Sequence, residues 1–388
     1  MESTPRLYDT LVHVLRQHQN WLDLRHLKTL AWMTVGLMQS GTISLTAWAP
    51  YVHSRAVYAQ SSVRRFARWL EHDRIDVHAL YGPLIQQALA EWGHHVLYLA
   101  LDTSMWWNAY GLVRIALVYR GRAVPIVWTV LEHASSRVAY EVYKAVLDKV
   151  AELLPCGCTV VFTADRGFAD THLMDHLARL RWHWRIRIKG SFWIDRPGKR
   201  RGKVKRIPLS PGQALFWPHV YLTKQGYGPV HLALGRPLDR QEYWFVVSDE
   251  PTDFKTFEEY GWRFDIEENF LDDTSNGFQL ESSLIRSANA LARLCCVLAI
   301  TTLYLVAQGI EVVTQGKRRW VDSHGFRGQS YLKIGGNWVK LALSKGYELI
   351  TRLYVSPEAD PVPAMASKIQ RQKRSQLFIT LECQDAVA

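Results

Sequence analysis

The sequence predicts an α/β protein with a mixed sheet, flanking helices, a β-rich insertion and an all-helical N-terminal segment. Residues 1 to about 92 carry apolar side chains at three- and four-residue spacing, which indicates helices. From about residue 94 to 188, short apolar segments alternate with helical ones, as is typical of a mixed sheet. Pro and Gly then punctuate short β-like segments up to about residue 250. Together these three observations predict the fold class.

Composition and charge narrow the class of partner. The chain has 388 residues, 48% of them hydrophobic, which favours two or three packed units over disorder. Lys and Arg outnumber Asp and Glu by 47 to 36, which gives a formal net charge of +11. Such an excess favours a polyanionic partner, either nucleic acid or an anionic membrane surface.

Targeting signals and cysteines point to the cytoplasm. The first residues lack the basic start and apolar core of a signal peptide. The longest apolar run, residues 294–310, is short for a membrane span and predicts a buried core helix. The five cysteines have no C-x-x-C spacing, which fits a reduced compartment and no structural zinc.

The N-terminal segment contains a candidate DNA-contacting helix. Residues 24–41 predict a helix that stops at Gly41, and a short helix should end near Pro50. Residues 61–72 predict a further helix with a Ser at its N-cap and with Phe66, Trp69 and Leu70 toward a core. The same pattern turns three arginines outward. This basic face is either a recognition helix laid against DNA or a solvated surface. The arginines are Arg64, Arg65 and Arg68.

The middle of the chain predicts the sheet in order. An apolar strand leads to Asp102, and two strands then meet in a hairpin at Arg120-Gly121-Arg122. A helix follows over about 139–154, then a strand that delivers Asp165, an amphipathic helix and a strand over 182–189. The order of three strands, helix, strand and helix predicts a mixed sheet with one antiparallel part.

Residues 189–250 predict a β-rich insertion with an electropositive loop. Residues 185–206 contain ten Lys or Arg and the single acid Asp195. The centre of this run is a candidate DNA contact. Its basic residues are Lys199, Arg200 and Arg201.

A third acid completes a candidate metal site in the stretch YGWRFDIEENF. If this stretch is helical, Tyr260, Arg263 and Glu267 share one face. Ten acids lie between residues 249 and 273, and some of them are expected to be solvated. Asp102 and Asp165 each follow an apolar strand, where a sheet presents side chains to a cleft. Three carboxylates without His or Cys favour Mg²⁺ or Mn²⁺, and a pair of such ions suits phosphodiester chemistry.

These residues resemble the signature of DDE transposases of bacterial insertion sequences. The likeness rests on ALDTS, on TADRGF and on the spacing Tyr260, two residues, Arg263, three residues, Glu267. It is closest to the cut-and-paste branch whose motif continues with six residues and a Lys, and it spans about residues 95–310. Position 274 is Thr274 where that motif has Lys.

The resemblance implies a fold and residue roles. It implies an RNase H-like core in which Asp102, Asp165 and Glu267 bind Mg²⁺, or Mn²⁺ as a substitute, with Glu268 a poorer candidate for the third acid. Tyr260 and Arg263 would contact phosphates near the transposon end, and position 274 would contribute less to that contact. Its insertion domain would stabilise a flipped base, for which the candidate is Trp244, although a buried strand Trp is the alternative.

The resemblance also implies an organisation and partners. The expected units are a helical DNA-binding domain at 1–92, a catalytic core at 93–188 and 251–315, an insertion at 189–250 and a C-terminal DNA-contact or dimerisation region at 316–388. The partners would be double-stranded DNA, both transposon ends and target, and a second copy of the chain once DNA is bound. The location would be the bacterial cytoplasm, at the nucleoid.

Four functions stay open at this point. The leading one is a transposase that exposes a 3′ hydroxyl at the transposon end and joins it to target DNA, with a hairpin intermediate as one route. A catalytically decayed transposase acting as a DNA-binding repressor is the second. A hydrolase with paired carboxylates is the third, although no such pair stands out. A basic peripheral membrane protein is the fourth, without a basic amphipathic anchor to support it.

Overall fold

The structure is a computed structural model of the chain. It describes residues 3–17, 21, 23–54, 56–133, 135, 138–198, 201–238, 242–274 and 277–364.

The N-terminal segment is helical, as predicted. Its helices are α1 (Ser3–Arg16), α2 (Leu24–Ser40), α3 (Leu45–Trp48), α4 (Ala59–Leu70) and α5 (Val77–Ala88). Helix α2 ends at Gly41, whose φ of 69° is the left-handed conformation that glycine adopts without strain. The predicted Ser N-cap of α4 is wrong, because the helix begins earlier, and its N-cap Tyr58 makes no side-chain capping bond.

Within the residues that the structure describes, one sheet of ten strands forms the centre of the protein. The strands are β1 (Val96–Trp106), β2 (Tyr110–Tyr119), β3 (Arg122–Glu132), β4 (Thr159–Ala164), β5 (His183–Arg187), β6 (Trp193–Asp195), β7 (Gly202–Lys203), β8 (Ala214–Leu222), β9 (Tyr227–Gly235) and β10 (Trp244–Ser248). Their order across the sheet is β3-β2-β1-β4-β5-β10-β9-β8-β6-β7.

The first five strands form the predicted mixed core. Strands β1, β2 and β3 pair antiparallel, and β4 and β5 continue the sheet parallel to β1. The hairpin between β2 and β3 turns at Arg120 and Gly121, whose φ values of 50° and 85° suit a tight hairpin turn. This order confirms the predicted RNase H-like class of mixed sheet.

The β-rich insertion continues the core sheet. Strand β10 pairs antiparallel with β5, and β9, β8, β6 and β7 follow outward from it. The sheet therefore runs from the core into the insertion without a break in its backbone hydrogen bonds.

The remaining helices cover the sheet and join it to the N-terminal segment. They are α6 (Tyr140–Leu153), α7 (Thr171–Arg179), α8 (Phe254–Gly261), α9 (Phe264–Asp273), α10 (Ala288–Thr314) and α11 (Tyr331–Lys345). Helix α10 packs against β3, α11, α2, α4 and α5. Within the described residues it is one helix with the length and hydropathy of a membrane span, and 94% of its most apolar window is buried in the protein. It is the core helix that the sequence predicted.

Candidate active site

Two of the three predicted carboxylates lie where β1 and β4 separate. The parallel pairing of these strands ends at Leu101 and Ala164. The residue that follows each of them is an acid, Asp102 and Asp165 respectively. Asp165 follows β4 directly, as expected. Asp102 is not at a strand end, because β1 continues to Trp106 while paired with β2. The sheet thus places Asp102 and Asp165 side by side.

The third acid comes from a bent pair of helices. The expected single helix through residues 260–270 is instead α8 and α9, separated by Trp262 and Arg263. Helical backbone conformation at Arg263 keeps Glu267 one turn ahead of it, so the side chains still meet. Ile266 and Phe270 are buried beneath α9, as the periodicity predicted.

Arg263 and Tyr260 tie the three acids together. Arg263 donates from one guanidinium nitrogen to Asp102 Oδ2 at 2.8 Å and from another to Glu267 Oε1 at 2.6 Å. The Tyr260 hydroxyl donates to Asp165 Oδ1 at 3.1 Å. Arg263 has only 4% of its side chain exposed, whereas Glu267 has 50% exposed. One buried cation therefore stands between two of the predicted metal ligands.

Burial sets the ionisation of this group. It raises the pKa of Asp102 to about 6, against the opposing effect of the Arg263 charge. It also raises the pKa of Tyr260 to about 12, so the phenol is protonated at neutral pH and donates its hydrogen bond to Asp165. Burial opposes the charge of Arg263, but Tyr260, Asp102 and Glu267 raise the pKa of its guanidinium.

Most of the neighbouring acids are paired with cations from the sheet. Asp273 binds the fully buried Arg114 of β2 at 2.6 Å, and Asp272 binds Arg122 of β3 at 3.1 Å. Glu259 binds Arg185 of β5 at 2.8 Å. These acids hold α8 and α9 against the sheet. Asp272, Asp273 and Glu259 are therefore structural acids of this stretch.

Glu268 is in a different position from Glu267. Its carboxylate lies 3.4 Å from Arg122, away from the bridge made by Arg263. The helical wheel already ranked Glu268 as the poorer third acid.

A separate group of ligand atoms lies at the other end of the strands, where β5 begins and β10 ends. His183, Asp249 and Glu250 form the group of candidate metal ligands, among the described residues, whose atoms all lie within 4.8 Å of one another. Arg185 already binds Glu250 at 2.7 Å, and His183 binds Asp249 at 2.8 Å. The three predicted catalytic acids are not in such a group, since Arg263 separates Asp102 from Glu267.

Trp244 and Thr274, two predicted DNA contacts, are both among the described residues. Trp244 is a strand residue only 7% exposed, and its ring packs edge-on against Tyr260 with centroids 5.5 Å apart. In this structure it adopts the buried-strand alternative, and the stacking role stays a prediction. Thr274 ends α9 and donates its hydroxyl to the carbonyl of Phe270 at 2.7 Å.

The predicted basic contacts are in two places. Arg64 and Arg68 are exposed on α4, but Arg65 is half-buried, so the expectation that all three face outward is wrong for Arg65. Arg201 is exposed and donates to the carbonyl of Thr223. Lys199 and Arg200 lie outside the described residues.

Arg114 is a structural partner of this site that was not predicted from the sequence. It lies within an apolar strand directly opposite Asp102 in the β1–β2 register. It also donates to Asn269 Oδ1 at 2.7 Å, besides its bond to Asp273. An arginine in the middle of an otherwise apolar strand was the available signal, because such a charge requires a buried partner.

Comparison with known proteins defines the class of this protein. Residues 105–304 match the family model described as "Transposase DDE domain". That range includes Asp165, Glu267, Tyr260 and Arg263, and it begins three residues after Asp102. The chain belongs to the DDE transposase domain family.

Individual relatives add little to that assignment. No curated protein sequence matches the chain. One similar solved structure is the cryo-EM structure of the piggyBac transposase synaptic complex with hairpin DNA. It is 13% identical, with 99% of this chain and 84% of that chain covered and a TM-score of 0.42. A likeness this distant does not carry the activity of that protein to this one.

Proposed function

We propose that this protein is a metal-dependent DNA transposase that cleaves transposon ends and joins them to target DNA. The observation that carries the proposal is the convergence of Asp102, Asp165 and Glu267 around Arg263 and Tyr260 in a chain of the DDE transposase domain family. The bacterial insertion-sequence branch is part of this proposal, on the strength of the Tyr260, Arg263 and Glu267 spacing.

The residues present suit divalent ions. Three carboxylates and no His or Cys form the donor set that Mg²⁺ and Mn²⁺ prefer. The Arg263 guanidinium is held between Asp102 and Glu267, which supports the proposal that these acids share a cation. Asp102, Asp165 and Glu267 would hold the ions. A pair of ions bound there supplies activation of the attacking oxygen and stabilisation of the leaving oxygen.

The other side chains of the site would position the carboxylates and neutralise phosphate charge. The hydroxyl of Tyr260 orients Asp165 through a hydrogen bond. The ring of Tyr260 packs against Trp244, which fixes its position. Arg263 would neutralise phosphate charge near the reacting strand, since a guanidinium suits phosphate oxygens. Thr274 can donate a hydrogen bond at the place where related motifs carry a Lys. Such preorganised charge and positioning lower the barrier to phosphoryl transfer.

The proposed partners follow from charge and chemistry. The formal net charge of +11 favours double-stranded DNA, and joining two transposon ends favours a homodimer on DNA. A 3′ hydroxyl could attack the opposite strand to give a hairpin before it attacks the target. The proposed location is the bacterial cytoplasm, at the nucleoid.

Strand cleavage of labelled duplex DNA that carries the element's own end tests the proposal. The native chain should nick the end with Mg²⁺ or Mn²⁺ and should lose nicking on chelation. Glu267→Gln should lower the cleavage rate at least about 100-fold, with DNA affinity retained, because it removes a metal ligand. Glu268→Gln is the matched control and should retain most of the activity, since Glu268 binds Arg122 instead.

A DNA-binding repressor is the second candidate. The observation that favours it is Thr274 in place of the motif Lys. Binding of the end without metal-dependent cleavage by the native chain would establish the repressor and remove the catalytic assignment. An equal loss of cleavage rate in Glu267→Gln and Glu268→Gln would remove the assignment of Glu267 as the third metal ligand.

A further inference from the structure

His183, Asp249 and Glu250 bring three ligand atoms together at the end of the strands away from the candidate active site. His183 is the first residue of β5, and Asp249 and Glu250 directly follow β10. Because β10 pairs antiparallel with β5, the end of one strand lies beside the start of the other. Asp165 follows the opposite end of β4, which runs parallel to β5. These three residues, the His183 group, are therefore separate from the predicted catalytic acids.

The distances between ligand atoms in the His183 group suit a shared metal ion. His183 Nδ1 lies 2.8 Å from Asp249 Oδ2 and 3.6 Å from Glu250 Oε1. Bonds of about 2.1 Å to one ion place neighbouring ligand atoms about 3.0 Å apart at right angles and about 3.4 Å apart in a tetrahedron. The two measured distances lie on either side of these values. A bound ion would replace the proton that His183 and Asp249 share in their hydrogen bond.

The second oxygen of each carboxylate is held by the protein. Asp249 Oδ1 accepts a hydrogen bond from the backbone N–H of Trp184 at 2.8 Å. Glu250 Oε2 accepts one from the guanidinium of Arg185 at 2.7 Å. Outer contacts of this kind orient the ligands of a metal ion. Here they turn the other oxygen of each acid, Asp249 Oδ2 and Glu250 Oε1, toward His183.

The His183 group keeps negative charge and is open to solvent. Arg185 is the Lys or Arg side chain, among the described residues, that forms an ion pair with Asp249 or Glu250. One guanidinium thus serves two carboxylates, and it also binds Glu259 at 2.8 Å. The side chains of His183, Asp249 and Glu250 are 38%, 30% and 40% exposed, so an ion from solution can reach them.

We propose that the His183 group binds a divalent transition-metal ion of the Zn²⁺ type. One imidazole nitrogen and two carboxylate oxygens are ligands that Zn²⁺ accepts, with a further position left for water. The imidazole distinguishes this donor set from the three carboxylates of the candidate active site, because nitrogen ligands favour Zn²⁺ over Mg²⁺. The inference goes beyond the proposed function, since it uses none of the residues of that site.

An ion at this place would join β5 to the segment that leads into α8. Glu250 lies shortly before α8, which begins at Phe254 and contains Tyr260. His183 begins β5, the strand that pairs with β10. The ion would thus add a link between the sheet and the approach to this helix. Because a ligand that binds the folded chain stabilises it, Zn²⁺ should raise the midpoint of thermal unfolding.

Calorimetric titration with Zn²⁺ tests the proposal in the Glu267→Gln chain, in which the candidate active site has lost one acid. Adding His183→Gln should lower the Zn²⁺ affinity at least about 100-fold, because even residues that only orient ligands contribute about 10- to 100-fold. Adding Glu250→Gln should lower it at least about tenfold for the same reason. His172→Gln is the matched control, since His172 is an exposed histidine that also contacts an acid, Asp170, at 3.0 Å. It should leave the affinity unchanged.

Thermal unfolding of the same variants gives a second readout. At a free Zn²⁺ concentration about 100 times Kd, the midpoint of the Glu267→Gln chain should rise by about 3 °C. The midpoint should not respond to Zn²⁺ once His183→Gln is added. The midpoints without Zn²⁺ show that the variants fold, which the partial exposure of His183 favours.

Three results would overturn the proposal. The first is equal Zn²⁺ affinity with and without His183→Gln. The second is full affinity in the Glu250→Gln variant, because the carboxylate would then not be a ligand. The third is Mg²⁺ binding as tight as that of Zn²⁺, because the imidazole would then contribute nothing.

The outcome is independent of the active-site test. If the native chain cleaves DNA and His183→Gln does not change Zn²⁺ binding, the His183 proposal fails and the transposase stands. If Zn²⁺ binds through His183 but the native chain cleaves no DNA, the metal site stands and the catalytic proposal fails.

Discussion

Arg263 occupies the place between Asp102 and Glu267 that a shared cation would take. Its two hydrogen bonds, at 2.8 and 2.6 Å, hold Asp102 and Glu267 and offset part of their negative charge. A DNA phosphate that attracts this guanidinium would release both carboxylates. In the proposed function, Arg263 would therefore link the DNA contact to the metal ligands.

Replacement of Arg263 should strengthen metal binding by the free chain. Arg263→Gln removes a cation that competes with the metal, so Mn²⁺ should bind about tenfold more tightly, the equivalent of one charge-assisted hydrogen bond. Calorimetric titration at pH 8 measures this affinity. At pH 8 Asp102 of the native chain is ionised, because this pH lies above its raised pKa of about 6. The variant loses the opposing Arg263 charge, so its Asp102 has a higher pKa and the titration is repeated at higher pH.

A control separates this effect from a general loss of positive charge. Arg352→Gln also removes an arginine from an ion pair, the exposed contact of Arg352 with Glu91, and should leave Mn²⁺ affinity unchanged. Weaker Mn²⁺ binding by Arg263→Gln would show that Arg263 supports the metal site directly.

At the scale of residues, the sequence predicted which residues form the candidate site. It did not predict which hydrogen bonds join them. The spacing of Tyr260, Arg263 and Glu267 depends only on local helical geometry, which survives the bend between α8 and α9. The bond from Arg263 to Asp102 joins positions 161 residues apart, and no local pattern encodes it. The half-burial of Arg65 likewise depends on its tertiary neighbours.

At the scale of elements, ion pairs attach α9 to the sheet. Arg114 on β2 binds Asn269 and Asp273 near the end of α9, and Arg122 on β3 binds Asp272. Since Arg114 is paired in register with Asp102, this contact sets how far along the sheet α9 places Glu267.

Removal of one partner of the buried pair should destabilise the fold. Arg114→Met leaves Asp273 buried and uncompensated, which should cost about 3–5 kcal/mol of unfolding free energy. The double variant Arg114→Met with Asp273→Leu should recover most of that loss, because no unpaired charge is left. Urea denaturation of both variants and the native chain measures the difference. If the double variant is no more stable than Arg114→Met alone, the lost unfolding free energy comes from packing and not from an unpaired charge.

Helices α10 and α11 cross at glycines. A Cβ built on Gly335 would lie 1.9 Å from the carbonyl oxygen of Leu305, and one on Gly309 would lie 2.1 Å from that of Tyr331. The two backbones are therefore too close for any side chain at these positions.

Substitution at the crossing should separate the two helices. Gly335→Ala should lower the unfolding free energy by about 3 kcal/mol or more, because the backbone atoms it meets cannot move aside. The adjacent Gly336→Ala is the matched control, since its Cβ would meet only Leu305 Cδ1 at 3.9 Å, and it should be neutral or stabilising. Thermal or chemical unfolding measures the stability of both variants. Equal stability of Gly335→Ala and Gly336→Ala would contradict the close approach of the two helix backbones.

At the scale of the whole molecule, the sequence predicted element types and the order of the core. Strand and helix periodicities are local, and short connections favour neighbouring strands, so β1 to β5 followed from the pattern. The pairing of β10 with β5 joins residues about 60 positions apart and was not predictable in that way. The positions of the N-terminal helices around α10 depend on the same kind of distant contact.

DNA binding by the whole chain should be strongly salt-dependent. The net charge of +11 predicts that log K for duplex DNA falls linearly with log salt, by about 0.9 for each phosphate neutralised. Light scattering of the same mixtures should show a dimer on paired transposon ends. Affinity that does not change with salt would exclude a phosphate-dominated interface.

The unbroken sheet has a mechanical consequence. Because β5 and β10 share backbone hydrogen bonds, the insertion strands and the strand that delivers Asp165 belong to one stiff lattice. The insertion is therefore tied to the core by strand pairing as well as by the chain connections. In the proposed function, a nucleic-acid segment bound by the outer strands would therefore stay at a fixed distance from the carboxylates, and the sheet would set that distance.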